Sequence, residues 1–276
     1  MNVLELKKID KSYRRGGFWG TQEKREVLKG VDLALQMGTC VGLLGRSGSG
    51  KSTLGRIALN LEPPNAGEVL YHGQAVRSLS PKHYKDFRRN VQVVFQNPLG
   101  SVNPRFTAQQ IVAEPLENFE SLSAAQTKTR VNDLLERVGL SASDLCKYPH
   151  QFSGGELQRV CIARAIALNP KLIILDEAVS SLDMLVQLKI LDLLAQLKNE
   201  LGTTYLFISH DIRVLLKIAD RLLVMHEGQL VEQADSMDHL NAFTHAAFLE
   251  LIHSVLPPLP MAIPDPQDIT RRVDAN

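Results

Sequence analysis

The 276-residue sequence has few aromatic residues and almost no net charge, and each shortage argues against a class of function. Phe, Tyr and Trp together make up 5% of the chain, which disfavours a surface that binds nucleic acid by stacking on its bases. The 31 Lys and Arg residues are balanced by 30 Asp and Glu residues, leaving a net charge of +1. A nucleic-acid-binding protein whose affinity comes from overall positive charge is therefore not expected.

Cysteines and long apolar runs are also scarce. The three cysteines, Cys40, Cys146 and Cys161, form no Cys-x-x-Cys pair, which predicts a reducing compartment and no cysteine metal site. The longest apolar runs, such as residues 172–175 and 205–208, are far shorter than the ~20 residues of a membrane-spanning helix. The charged N-terminus is unlike a signal peptide. The composition thus predicts a soluble cytoplasmic protein of one to two domains.

The apolar pattern predicts an α/β fold. Strands are expected at residues 3–9, 31–37, 39–44, 68–71, 91–95, 171–176, 203–209, 222–226 and 229–233. Helices are expected at 51–61, 184–201 and 211–219. This alternation predicts a parallel sheet with right-handed crossovers.

Three segments depart from the alternation. From about residue 98 to 167 the pattern predicts only helices, which indicates a helical insert. Arg14 to Arg25 is glycine-rich and charged and is expected to form a loop. Residues 253–276 are rich in proline and are expected to form an extended or disordered tail, so that 1–252 form the folded part.

Residues 45–52 (GRSGSGKS) match the phosphate-binding motif GxxxxGK[ST], between a predicted strand and a predicted helix. The glycines let backbone N–H groups turn toward phosphate oxygens, and the helix N-terminus adds partial positive charge. Lys51 is expected to reach the β- and γ-phosphates, and the Ser52 hydroxyl to bind Mg²⁺. A glycine-rich turn with an incidental lysine is the alternative. The predicted nucleotide-binding residues here are Gly45, Arg46, Ser47, Gly48, Ser49, Gly50, Lys51, Ser52 and Thr53.

Polar side chains end three further predicted strands. Asp176 and Glu177 follow an apolar strand, and ligands of open α/β sheets bind at the carboxyl ends of strands. We expect Asp176 to hold Mg²⁺ through water and Glu177 to act as a general base or to orient the attacking water. His210 is placed to hydrogen bond a γ-phosphate, and Gln96 to contact metal or water. Spacing alone also fits an acidic helix cap, a surface histidine and a glutamine without a role.

Residues 152–159 (FSGGELQR) predict a second anion-binding helix start, with free N–H groups and a possible Ser153 cap. One nucleotide rarely needs two γ-phosphate cradles. A second cradle makes sense if it serves a nucleotide held by another subunit. Taken alone, the string also fits an ordinary capped helix.

The order of these motifs resembles the ATP-binding cassette (ABC) ATPase domain over about residues 3–235: phosphate loop, glutamine, SGGE about 20 residues before LIILDE, then SSLD and a histidine. The resemblance implies a P-loop NTPase fold with a mainly parallel sheet core, an N-terminal antiparallel β subdomain and an inserted α-helical subdomain. ATP and Mg²⁺ are the implied ligands.

The resemblance also assigns roles. Tyr13 is implied to stack on adenine, and Gln96 to link the nucleotide site to a transmembrane partner. Glu177 resembles the catalytic base, and His210 the switch histidine.

A second group of residues is implied to act across a head-to-tail dimer. Ser153, Gly154 and Gly155, with Glu156 in place of the commoner Gln, would contact the γ-phosphate of the partner's ATP. Asp183, in SSLD, would lie at the dimer interface.

Shorter strings resemble the peptide/nickel importer class: residues 94–98 (VFQNP), 101–105 (SVNPR) and 114–116 (EPL). Arg46 after the first glycine, and Ala178 after the Asp-Glu pair, resemble the nickel-import members, because peptide importers usually carry Glu and Pro there. The implied cargo is nickel or a metal chelate, with dipeptide or oligopeptide as the alternative.

This class implies a second, similar ATPase subunit in a heterodimer, two transmembrane permease subunits and a substrate-binding protein that acts through the permease. The expected location is the cytoplasmic face of the inner membrane, with no nucleic acid. A soluble ABC protein of translation or DNA repair is less consistent with a single cassette without sustained heptads. A small-molecule P-loop kinase does not explain SGGE.

Overall fold

The computed structural model describes residues 1–15 and 23–253, which form two packed β-sheets and eight α-helices. The strands are β1 (Asn2–Arg15), β2 (Glu23–Gln36), β3 (Cys40–Leu44), β4 (Ala66–Tyr71), β5 (Gln74–Ala75), β6 (Val91–Phe95), β7 (Leu172–Asp176), β8 (Thr204–Ser209), β9 (Arg221–His226) and β10 (Gln229–Ala234). The α-helices are α1 (Lys51–Ala58), α2 (Pro81–Asn90), α3 (Ala108–Phe119), α4 (Ala124–Arg137), α5 (Gly154–Ile166), α6 (Met184–Leu201), α7 (Ile212–Ile218) and α8 (Ala246–His253). Short 3₁₀ helices span Val76–Ser78, Leu99–Ser101, Ala142–Asp144, Pro149–Gln151 and Met237–Ala242.

The larger sheet has the order β10-β9-β3-β8-β7-β6 and is parallel except for β10, which runs antiparallel to β9. Both of its faces are covered, which explains its nearly continuous apolar strands. On β8, Leu206 and Ile208 face the smaller sheet and α1, while Tyr205 and Phe207 face the helical side. The predicted parallel α/β core is confirmed.

The smaller sheet is antiparallel, with the order β2-β1-β4-β5. The loop expected from Arg14 to Arg25 is wrong in extent, because β1 continues to Arg15 and β2 begins at Glu23. The outer ends of the two strands, residues 12–15 and 23–26, form the β1–β2 ribbon, which extends beyond the core. Backbone pairing such as Tyr13 with Arg25 stabilises this ribbon instead of apolar burial, so its charged sequence does not resemble a strand. The glycines at 16, 17 and 20 lie outside the described residues.

Helices α3, α4 and α5 occupy the chain between β6 and β7, as the sequence predicts. Their apolar faces pack against one another and against the helical side of the larger sheet. Capping boxes at Thr107, Ser123 and Ser153 fix where the three helices begin.

Two helices were not predicted. Helix α2 has only Phe87 fully buried, so its apolar periodicity is weak, although Ser80 caps it and Pro81 starts it. Helix α8 follows the 3₁₀ helix and ends the described chain, and the proline-rich residues 254–276 lie outside it. Within residues 1–15 and 23–253, no helix has both the length and the apolar character that crossing a bilayer requires.

Candidate functional site

The phosphate-binding loop connects β3 to α1, as the motif predicts. A side chain on Gly45 would collide with the carbonyl oxygen of Met225 in β9. Gly50 has a φ of 108°, and a Cβ there would lie 2.7 Å from the carbonyl oxygen of Val27. Both positions therefore require glycine, and the loop stays close to the two sheets.

Lys51, the first residue of α1, is buried, with 4% of its surface exposed. Its ammonium donates hydrogen bonds to the carbonyl oxygens of Gly45 at 2.7 Å and Arg46 at 2.9 Å. Burial lowers the pKa of Lys51, and the carboxylates of Glu177 and Asp176 act against that change. The cation thus lies within the loop, beside two acids.

Ser52 and Asp176 meet at the carboxyl end of β7, as predicted. The Ser52 hydroxyl donates to Asp176 Oδ1 at 3.0 Å. Burial raises the pKa of Asp176, while the hydrogen bond from Ser52 acts to lower it. Two hard oxygen atoms, of the kind that could bind a metal ion, are therefore adjacent at the start of α1.

Glu177 and His210 lie at the ends of neighbouring strands. Glu177 Oε2 is 3.4 Å from His210 Nδ1, and the glutamate side chain is 15% exposed against 52% for the histidine. Glu177 has a φ of 50°, the left-handed region, and its N–H donates to the carbonyl oxygen of Ile208 at 3.0 Å. Such a conformation costs energy for a residue other than glycine, and the bond to β8 holds it in place.

Gln96 directly follows β6 and lines the same cleft. Its amide donates to Ser180 Oγ at 3.2 Å, and Ser180 Oγ donates to the carbonyl oxygen of Glu177 at 3.0 Å. Ser180 therefore connects Gln96 to the backbone of Glu177. The sequence gives no signal for this serine, because its role depends on two partners distant from each other in the chain.

A cleft of about 610 Å³ runs from these groups to the β1–β2 ribbon. It is lined by Tyr13, Arg14, Arg25, Val27, Ser47, Gly48, Gly50, Lys51, Ser52, Thr53, Gln96 and Glu177. Tyr13 lies at the ribbon end of the cleft and is 38% exposed, so its aromatic side chain is accessible to a flat ligand.

Arg14, Arg25 and Val27 line the cleft although the sequence analysis assigned them no role. The cross-strand pairing of Tyr13 with Arg25 places a second cation close to the loop. The position of Arg25 opposite Tyr13 follows only from the pairing of the two strands, which the sequence does not predict this far along β1 and β2.

The second helix start is closed by its own side chains. Ser153 Oγ accepts the N–H of Glu156 at 3.4 Å, and Glu156 Oε2 accepts the N–H of Ser153 at 2.8 Å. These hydrogen bonds from the backbone and the side chain of Ser153 lower the pKa of Glu156. The predicted cap is present, but the N–H groups of Ser153 and Glu156 are not free.

Residues 153–156 and Asp183 form a group apart from the cleft, and none of them lines it. Asp183 caps α6 by accepting the N–H of Val186 at 3.0 Å. A side chain on Gly155 would collide with Val186 Cγ1, so the starts of α5 and α6 are in close contact. Val186 has no signal in the sequence.

Exposed apolar side chains surround this second group. Met184, Leu185 and Leu188, on the first turns of α6, are 65%, 72% and 42% exposed. Large apolar side chains clustered at the surface are typical of a contact with another protein.

The geometry of the cleft suits one chemistry. A buried lysine, a serine beside an aspartate and N–H groups at a helix start bind the phosphates of a nucleotide. A shielded carboxylate one residue beyond the aspartate is placed to orient water or accept its proton. Together these groups suit hydrolysis of a phosphoanhydride.

Comparison with known proteins gives a family match. The family model described as ABC transporter matches residues 28–180. The nickel import ATP-binding protein NikE of Escherichia coli O6:K15:H31 (strain 536 / UPEC) is 43% identical over 261 residues, which cover 95% of this chain and 97% of that protein. NikE of Brucella suis biovar 1 (strain 1330) is 44% identical over 261 residues, covering 95% and 98%.

Solved structures agree with this match. The ATP-binding cassette MJ0796, in a dimeric post-hydrolysis state bound to ADP and Pi, is 32% identical with a TM-score of 0.74, covering 84% of this chain and 97% of that one. The cbiO1 protein of Clostridium perfringens, part of the ABC transporter complex cbiONQ, is 27% identical with a TM-score of 0.74, covering 93% and 96%.

Proposed function

The chain belongs to the ABC transporter family, and we propose that it is the ATP-hydrolysing subunit of an importer for nickel or a nickel chelate. One observation carries the hydrolysis: Glu177 lies in the same cleft as the phosphate loop, one residue beyond the aspartate that bonds Ser52. Identity of 43–44% with nickel import proteins along 95% of the chain supports the cargo.

The phosphates of ATP bind at the start of α1 in this proposal. Backbone N–H groups of residues 45–53 surround them, and the helix dipole favours their charge. The Lys51 ammonium exchanges its bonds to the carbonyl oxygens of Gly45 and Arg46 for bonds to the β- and γ-phosphates. Tyr13, at the ribbon end of the cleft, stacks on adenine.

The residues present fit a Mg²⁺ ion. Ser52 Oγ and Asp176 Oδ1, 3.0 Å apart, are hard oxygen ligands of the kind Mg²⁺ prefers. Gln96 lines the same cleft and offers an amide oxygen, because its amide nitrogen is the atom bonded to Ser180. Bound there, the ion offsets negative charge on the phosphate oxygens.

Glu177 acts on the attacking water. Its largely shielded carboxylate accepts a hydrogen bond from the water and takes its proton as the water oxygen bonds to the γ-phosphorus. The bond from the γ-phosphorus to the bridging oxygen of the β-phosphate breaks in the same step, and ADP leaves with that oxygen. His210, within 3.4 Å of Glu177, hydrogen bonds the γ-phosphate and keeps the carboxylate oriented. Gln96 is connected to the backbone of Glu177 through Ser180, so a movement of Glu177 during hydrolysis is transmitted to Gln96.

A second, similar ABC ATPase subunit completes each site. Ser153, Gly154, Gly155 and Glu156 lie outside this chain's own cleft, which suits contact with the γ-phosphate held by a head-to-tail partner. The exposed apolar residues beside Asp183 support an interface there. The cassette MJ0796 was solved as a dimer. By resemblance to its class, we infer that the partner here is a different subunit.

The full assembly adds two transmembrane permease subunits and a substrate-binding protein outside the membrane. We propose that residues 1–252 form the ATP-binding domain, located at the cytoplasmic face of the inner membrane. ATP binding closes the dimer of ATPase subunits, and the helical insert of about 98–167 transmits this closure to the permease. In this proposal residues 253–276, a proline-rich segment of which only His253 is described, are not part of that domain, and the cargo does not contact this chain.

The test is Glu177→Gln in the reconstituted transporter. We expect ATP binding to stay within a few-fold of wild type and turnover to fall by about 10²–10⁴-fold, because the amide cannot accept the water's proton. Binding is measured with a fluorescent nucleotide and turnover by phosphate release. Hydrolysis at the wild-type rate would remove Glu177 from this role.

The cargo is tested in the same assembly with the wild-type chain. Nickel delivered by the binding protein is expected to stimulate hydrolysis, and dipeptides are not. The reverse result would favour the peptide alternative and leave the ATPase assignment intact.

A further inference from the structure

Glu62 holds the tyrosine at the ribbon end of the cleft. The Tyr13 hydroxyl donates to Glu62 Oε2 at 2.9 Å. The other carboxylate oxygen, Oε1, is 2.8 Å from the ammonium of Lys11, which also lies 5.2 Å from the centre of the Tyr13 ring. One carboxylate thus fixes the tip of the ring and the cation beside it.

Glu62 is itself fixed by its surroundings. It follows the turn that ends α1, where the N–H of Leu61 donates to the carbonyl oxygen of Arg56 at 2.9 Å. Pro63 follows directly, and its carbonyl oxygen accepts a hydrogen bond from the buried Lys11 at 2.8 Å. Because the backbone is constrained on both sides, Glu62 provides a firm anchor for Tyr13.

The same carboxylate joins the two ends of the cleft. Arg56 Nε lies 3.4 Å from Glu62 Oε2, and its terminal nitrogen donates to Thr53 Oγ1 at 3.2 Å. Thr53 lines the cleft beside Lys51 and Ser52. A chain of contacts therefore runs from Tyr13 through Glu62 and Arg56 to the phosphate end.

We propose that Glu62 is a positioning residue that holds the Tyr13 ring ready for the purine base, and so determines how much the base adds to nucleotide affinity. A ring held in one orientation loses less conformational freedom when the base stacks on it. This inference rests on the proposed function, because it concerns the same ATP site.

The experiment compares ATP with inorganic tripolyphosphate, which carries the phosphates but no base. Equilibrium binding is measured in the Glu177→Gln background, so that ATP is not consumed. The added variants are Tyr13→Phe, Glu62→Ala and the pair together, with Glu68→Ala as the control on an exposed carboxylate of β4.

We expect Tyr13→Phe and Glu62→Ala each to weaken ATP binding roughly two- to tenfold, the range for one net hydrogen bond, and to leave tripolyphosphate binding unchanged. The double variant is expected to bind ATP no more weakly than the weaker single variant, because both changes break one contact. Glu68→Ala should match the parent. Tyr13→Phe leaves the Lys11–Glu62–Arg56 cluster intact, so its result stands even if Glu62→Ala unfolds at a lower temperature.

Three results would overturn the inference: unchanged ATP binding in Tyr13→Phe, equal losses for ATP and tripolyphosphate, or losses that add in the double variant. Failure of the proposed function is a separate result, since the parent protein would then bind neither ligand.

Discussion

Helices α1 and α5 both begin at glycine-rich turns, but the charges of the side chains at their N-termini are opposite. Helix α1 starts after Gly50, with no side-chain cap and no acidic residue in its first turn, and its first residue is Lys51. Helix α5 starts after Ser153, with a full capping box and an acid, Glu156, in its first turn. The first start is open and positive, whereas the second is partly closed by the Ser153 hydroxyl and the Glu156 carboxylate and carries a negative charge.

This difference separates the tasks of the two sites. The open start of α1 brings together a cation, the oxygen atoms of Ser52 and Asp176, and N–H groups, so it suits the binding of a phosphate tail within one chain. The first turn of α5 keeps only the N–H groups of Gly154 and Gly155 without an intrahelical acceptor, beside a negative charge. It suits a supplementary contact to a nucleotide already bound elsewhere.

Replacing Lys51 gives the largest expected effect on the comparison. Lys51→Ala removes the buried cation of the α1 start, and we expect ATP binding to weaken about 10- to 100-fold, the range for charge-assisted hydrogen bonds. A fluorescent-nucleotide titration of the isolated subunit measures this.

The control is Ser153→Ala at the other helix start. It should leave that titration unchanged and lower only the free energy of unfolding, by about 0.5–2 kcal/mol for a lost cap. If both variants bound ATP equally weakly, the two helix starts would not have separate tasks.

Adding one methyl group at the α5 start is expected to have the next largest effect. Gly155→Ala forces its Cβ against Val186 Cγ1, at a cost of about 1–3 kcal/mol in the free energy of unfolding. We expect hydrolysis by the assembled transporter to fall about tenfold or more, which corresponds to a rise in the barrier of ~1.4 kcal/mol. ATP binding to the isolated subunit should not change.

Val186→Ala supplies the matched test, because it removes the atom that Gly155→Ala would meet. The double variant should recover most of the lost stability and hydrolysis. A double variant as impaired as Gly155→Ala alone would mean that the flexibility of Gly155, rather than its close contact, is what matters.

The smallest expected effect concerns pH. The pKa of Glu156 is lowered from its ordinary 4.5 by the hydrogen bonds from Ser153, so the folded state favours the charged form. The stability that the carboxylate adds is complete above its unfolded pKa and is lost as the pH falls through the lower folded pKa. Glu156→Gln keeps an oxygen for the capping box and should remove this acid-dependent loss.

Chemical denaturation of wild type and variant between pH 6 and about pH 3 measures the difference. We also expect the variant to hydrolyse ATP slightly faster, because a negative charge beside the partner's phosphate is gone. An unchanged pH dependence would show that Glu156 does not titrate through its cap.

Most of the core and cleft follows from local sequence. Strands such as β7 are buried on both faces, so their apolar runs are unmistakable, and the phosphate loop has glycines only where the backbone requires them. Asp176 and Glu177 were located because the end of a parallel strand has one direction in space.

The remaining features depend on contacts that a pattern does not contain. The β1–β2 ribbon, residues 12–15 and 23–26, extends beyond the core and lacks the apolar alternation of the rest of the two strands, so the sequence gives no sign that Arg25 lines the cleft. Ser180 and Glu62 look like ordinary surface residues until their partners are known. The closure of the α5 start by Glu156 was missed because a capping box and a free anion cradle have the same sequence.

The backbone of Glu177 has an evolutionary consequence. A left-handed conformation costs a residue other than glycine about 1–2 kcal/mol, so selection for stability alone would favour glycine or asparagine at this position. On the proposed role of Glu177, the most stable protein and the most active protein have different residues at position 177. In a lineage that no longer needed hydrolysis, replacement of Glu177 by glycine or asparagine would be favoured early, because it would raise the free energy of unfolding at the expense of activity.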